Sequence, residues 1–167
     1  LIHAAAVTTI IIEVKNLKPK TANAKFPAQS VISKDEIVIY DFGDAEIKKI
    51  KIKSGIMRFD IKSTIQEEMT IDYTIPHALK NGVPFKKTLV VGAAPAAGST
   101  VVRADVDLSG YEIDLRGKNP ILDDTVNSFY NILDVTIDST GKTTTISLDD
   151  SIYLYYGLLD LVPEYAE

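Results

Sequence analysis

Few side chains in this sequence are of a type and spacing that could do chemistry. Asp105 and Asp107 alternate along TVVRADVDL, which puts their carboxylates on one strand face about 7 Å apart. Such a pair can ligate calcium or divide acid and base duty between its members. The plainer reading is the solvated face of an amphipathic strand, so the pair is a weak metal candidate only. His3 and His77 are the sole histidines, and neither has a partner at metal-ligand spacing. His77, in Pro76-His77-Ala78-Leu79, reads as an exposed turn residue, because general-base work needs a positioned proton donor and none is evident. Asp123-Asp124 and Asp149-Asp150 adjoin loops, where paired acids serve turns and solubility. No nucleophile elbow, phosphate loop, zincin or EF-hand spacing occurs. No catalytic residue is assigned, no cofactor is implied, and the chain reads as a non-enzyme. A hydrolase using Asp105 and Asp107 is the least favoured alternative.

Tyrosine is the unusual usage, with eight Tyr and no Trp. In SIYLYY, alternation sets Tyr153 and Tyr155 together, opposite Ile152, Leu154 and Tyr156. If the Ile152 face is the core, two tyrosines stand side by side at the surface, a pair that can stack on sugar rings or anchor a protein partner. The competing reading is cross-strand packing or cover by the C-terminal segment. Tyr153 and Tyr155 are the candidate ligand-binding residues.

The elements that must position these side chains are strands. Met57, Phe59 and Ile61 share one face against Arg58, Asp60 and Lys62, and Met69, Ile71, Tyr73 and Ile75 alternate with Glu68, Thr70, Asp72 and Thr74. Residues 46–91 therefore read as four strands (46–54, 56–63, 67–75 and 83–91) in an antiparallel meander, broken at Ser54-Gly55 and Asn81-Gly82. Further strands are expected over 5–15, 31–42, 100–108, 111–115, 129–138 and 151–156. Asp138 to Lys142 reads as a hairpin turn into a return strand, residues 16–30 and 116–128 as loops, and residues 157–167 as a short helical turn. A faint echo links TIDYTI to ILDVTI and Ser54-Gly55 to Ser109-Gly110. The expected fold is all-β, an antiparallel β-sandwich of two packed sheets with little helix. It forms a single domain over 1–167, with a candidate internal boundary in GAAPAAGST at 92–99.

Composition narrows the function classes. At 167 residues the chain buries roughly 70% of its unfolded surface without a staple. Its net charge of −5 gives no electrostatic footprint for nucleic acid. The absence of cysteine removes disulfides, Cys-ligated zinc and thiol nucleophiles together. No apolar run approaches the ~20 residues of a membrane helix. The opening LIHAAAVTTIII has neither signal peptide nor initiating Met, so a portion of a longer polypeptide is expected.

The order KSGIMRFDIKS, TIDYTIP and KNGVPF, then DLSGYEIDL and NILDVTIDSTGKTTTISL, resembles extracytoplasmic β-rich proteins of Bacteroidota, many of them surface lipoproteins. The resemblance covers most of the chain past Glu46 and rests on turn and strand patterns. It implies an extracytoplasmic location, at the cell surface or in the periplasm, and a structural or adhesive role. The expected partners are a glycan, a lipid or another surface protein. The main alternative is a glycan- or lipid-binding module that uses Tyr153 and Tyr155 or an apolar cavity between sheets.

Overall fold

The computed structural model describes residues 20–167. The strand expected over 5–15 and His3 lie outside the described residues. Ten strands follow in order: β1 (Thr21–Ala24), β2 (Gln29–Ile39), β3 (Lys49–Ser63), β4 (Met69–Lys80), β5 (Val83–Val91), β6 (Thr100–Asp107), β7 (Glu112–Asp114), β8 (Ser128–Ile137), β9 (Thr144–Ser147) and β10 (Ile152–Ala166). The described residues form no helix, so the all-β expectation holds.

Hydrogen bonding runs through one curled antiparallel sheet in the order β10-β3-β7-β4-β8-β2, with β5 added beside β4 and β6 beside β3. β1 and β9 form a separate two-stranded sheet. β7 is the seam: Ile113 pairs with Ile50 of β3 on one side and with Ala78 of β4 on the other. Beyond that seam the sheet folds over itself, and Phe59 of β3 meets Tyr73 of β4 edge-on, their ring centroids 5.2 Å apart. The two arms of the curl are β10-β3-β6 and β2-β8-β4-β5. Strands from either side of residues 92–99 pair within this one sheet.

The expected meander over 46–91 is therefore corrected, because β3 and β4 face each other without pairing. Ser54-Gly55 makes no turn either, and β3 runs straight through it. Gly55 serves close packing: a Cβ there would stand 2.5 Å from Leu161 Cδ2 and 3.3 Å from Leu161 Cα. Asn81-Gly82, by contrast, closes the β4–β5 hairpin as expected, with φ of 53° and 78°, the two positive values a type I′ turn needs.

Three further expectations change. Pro76 to Leu79 lie within β4, where the register shifts between Ile75 and Leu79, so His77 is a half-buried strand residue. β9 does not return along β8, whose two edges are already taken by β2 and β4; it pairs with β1 instead. Part of the loop expected at 16–30 accordingly becomes β1 and the start of β2. The C-terminal segment is not helical: it extends β10 along β3 as far as Ala166. Pro163 is tolerated because β10 is an edge strand with register shifts around it, so its missing N–H removes little pairing.

The echoing segments meet. TIDYTI lies in β4 and ILDVTI in β8, and they pair antiparallel with Ile71 opposite Val135 and Tyr73 opposite Leu133. Ser109-Gly110 falls beside the other glycine dipeptide, where Leu108 N–H donates to the Gly55 carbonyl at 2.9 Å. Inside the curl, Met57, Phe59, Ile61, Met69, Ile71, Tyr73 and Ile75 are each at most 1% exposed. Burying each such side chain contributes about 1.5–3 kcal/mol, enough to fix which face of every strand turns inward.

Candidate functional site

The outer face of the β10-β3-β6 arm is built in cross-strand rows. Tyr155 lies opposite Asp60, which lies opposite Arg103; Gly157 lies opposite Arg58, which lies opposite Asp105. Arg58 grips Asp105 through Nε and Nη2, each 2.7 Å from a carboxylate oxygen. Arg103 Nε donates to Asp60 at 2.5 Å. The Arg58 hydrogen bond and charge hold the Asp105 carboxyl below its ordinary value. Asp107 is held low by hydrogen bonds from the hydroxyl and backbone N–H of Ser109. The two weak metal candidates thus lie on one face, but each is engaged by a protein donor. Among the described residues no group of three or more His, Asp or Glu side chains is placed to hold a metal ion.

Tyr153 and Tyr155 stand on this same outer face, 52% and 69% exposed, while Ile152, Leu154 and Tyr156 pack toward the core. A shallow cleft of about 180 Å³ opens beside Tyr155, where Gly157 leaves a gap next to Arg58 and Asp60. An aromatic face and fixed polar groups therefore adjoin on a flat strand surface.

A larger cavity of about 380 Å³ lies at the seam end of the curl. Ile50, Ile113, Leu115, Phe129, Leu158 and Leu161 line it, together with Ile47, and Tyr40, Phe42, Pro163 and Ala166 complete the wall. Phe42, Pro163 and Ala166 are exposed at its rim, and Ile113, Leu115 and Phe129 are buried. Its volume falls in the range of small-molecule sites, which are mostly apolar with a few polar groups. The β10 bulge contributes directly: register shifts after Leu159 turn Leu161 onto Gly55.

Next to this cavity sits a polar cluster inside the curl. Tyr156 Oη donates to Glu36 Oε2 at 3.0 Å and lies 3.3 Å from Asn131 Oδ1. The Tyr156 ring packs 4.9 Å, centroid to centroid, from that of Tyr73. Burial, with the Glu36 hydrogen bond, pushes the Tyr156 hydroxyl up to about 12. Burial pushes Tyr73 and Tyr40 up as well. Glu36 is held low by its hydrogen bonds from Lys34 and Tyr156.

Sequence reasoning located Tyr153, Tyr155, Asp105 and Asp107 on exposed strand faces but missed the interior cluster. One signal was present, since Asn131 interrupts the inward alternation of Phe129, Leu133, Val135 and Ile137. His77 Nε2 lies 3.2 Å from the Lys118 carbonyl, and its ring packs 5.8 Å from that of Tyr130. No described helix is long and apolar enough to cross a membrane. In comparisons with known proteins, the chain matches no family model, no curated protein and no solved structure.

Proposed function

We propose that this chain is a non-enzymatic binding module that takes a small apolar ligand in the cavity at the seam of the curled sheet. The two arms then act as the two layers of a sandwich, with the ligand between them. The observation that carries this reading is a cavity of about 380 Å³ whose lining is apolar but for the Tyr40 hydroxyl and whose rim is open at Phe42, Pro163 and Ala166. Filling such a site removes apolar surface from water at about 25 cal/mol per Å². The extracytoplasmic setting is supported by the resemblance in strand and turn order, and ligand capture there is compatible with a structural or adhesive role in a larger surface protein. Nile red, a neutral dye whose fluorescence rises in apolar surroundings, tests the cavity. Wild-type protein should enhance it saturably, and Ala166→Trp, which fills the rim, should cut the enhancement at least fivefold while leaving the unfolding midpoint unchanged. Absence of saturable enhancement in the wild type would sink the proposal.

A second reading is favoured by the outer face. Tyr153 and Tyr155 offer stacking surfaces beside the Arg58–Asp105 and Asp60–Arg103 pairs, a combination suited to a glycan. Glycan binding should vanish in the Tyr153→Ala, Tyr155→Ala double variant, whereas Nile red binding should survive it.

A further inference from the structure

Two polar atoms inside the curl have no hydrogen-bond partner: Tyr73 Oη and Asn131 Nδ2. Their residues are 0% and 1% exposed. Leaving buried polar groups unpaired is costly, and native interiors rarely do it without a water or ligand to complete them. Reorienting the Asn131 amide does not remove the deficit. Tyr156 has a single proton and gives it best to the Glu36 carboxylate, so one pole of Asn131 stays unpaired in either orientation.

The position of these atoms relative to the cavity is set by strand geometry. Leu158, which lines the cavity, is two residues beyond Tyr156 on β10, and Phe129, which also lines it, is two residues before Asn131 on β8. Residues two apart on a strand share a face roughly 7 Å apart. The polar cluster therefore abuts the buried end of the cavity, opposite the rim at Phe42 and Ala166. The only carboxylate in the cluster is Glu36, whose charge disfavours a second anion there.

Building on the cavity reading, we propose that the ligand is a neutral amphiphile. Its apolar body fills the cavity, and its terminal hydroxyl or carbonyl enters the cluster to pair with Tyr73 and Asn131. A fatty acid anion fits less well, because its carboxylate meets Glu36 and finds no cation among these groups.

Calorimetric titration of the described fold within the full chain with octanol, octanamide and octanoate tests this, using wild type, Tyr73→Phe and Asn131→Leu. Octanol and octanamide should bind at least tenfold more tightly than octanoate. Tyr73→Phe, which keeps the ring packing, should weaken octanol binding by about fivefold to tenfold while leaving Nile red binding intact. Asn131→Leu should do the same, and thermal unfolding checks that each variant is folded. Octanol affinity unchanged in Tyr73→Phe would mean that a buried water already completes the cluster. That result overturns the amphiphile proposal but leaves the cavity reading standing. Failure of Nile red and of all three octyl probes on the wild type overturns both.

Discussion

Gly55 on β3 and Leu161 on β10 are in contact so close that no side chain fits between them: a Cβ on Gly55 would stand 2.5 Å from Leu161 Cδ2 and 3.3 Å from Leu161 Cα. The Leu161 methyl could rotate away, but its backbone could not. Gly55→Val should destabilise the protein by about 1–3 kcal/mol, the usual cost of overpacking, read as a lower urea midpoint. Because Leu161 also lines the cavity, Nile red binding should weaken in the same variant. An unchanged midpoint would show that β10 moves off β3 freely.

The hairpin between β4 and β5 depends on positive φ at Asn81 and Gly82. A Cβ added at Gly82 meets nothing within 4 Å, so only backbone strain is at stake. Gly82→Ala should cost about 1 kcal/mol in chemical denaturation. A neutral result would mean the turn can change type without cost.

Asp114 and Arg116 make the least exposed ion pair among the described residues, with Arg116 Nη2 2.6 Å from Asp114 Oδ2 and Nε 2.9 Å from Oδ1. Burial pushes the Asp114 carboxyl up, but the hydrogen bonds from the Arg116 side chain and backbone, with its charge, outweigh that and hold it below the ordinary 3.8. A depressed folded value means the pair stabilises the protein above about pH 4 and loses that contribution as pH falls through the folded value. Asp114→Asn should therefore lower stability at neutral pH and flatten its fall below about pH 4. Parallel acid limbs for wild type and variant would refute the assignment.

Tyr156 gives the opposite dependence at high pH. Its hydroxyl is pushed from 10.0 to about 12 by burial first and by the Glu36 hydrogen bond next. A raised folded value favours the protonated form in the native state. The corresponding stability is fully present below pH 10 and is lost as pH rises through about 12. Tyr156→Phe should remove part of that alkaline loss, measured as midpoint against pH between 9 and about 12. An identical alkaline limb would place the high titration elsewhere.

The sequence by itself determined the strands and their faces, because alternation is a local property fixed by the two-residue period of an extended chain. It therefore set Tyr153 and Tyr155 outside, Tyr73 and Phe59 inside, and the turn at Asn81-Gly82, whose positive φ values are a matter of residue type alone. Only the tertiary structure decided which strands pair. Ser54-Gly55 looks like a turn in one dimension, but the need it meets is contact with Leu161, more than a hundred residues further on. β9 left β8 because the edges of β8 were already filled, a competition that no local pattern records. The cavity and the Tyr73–Asn131 cluster arise from the same cause: they form where β2, β4, β8 and β10 converge across the curl, and their chemistry belongs to that convergence.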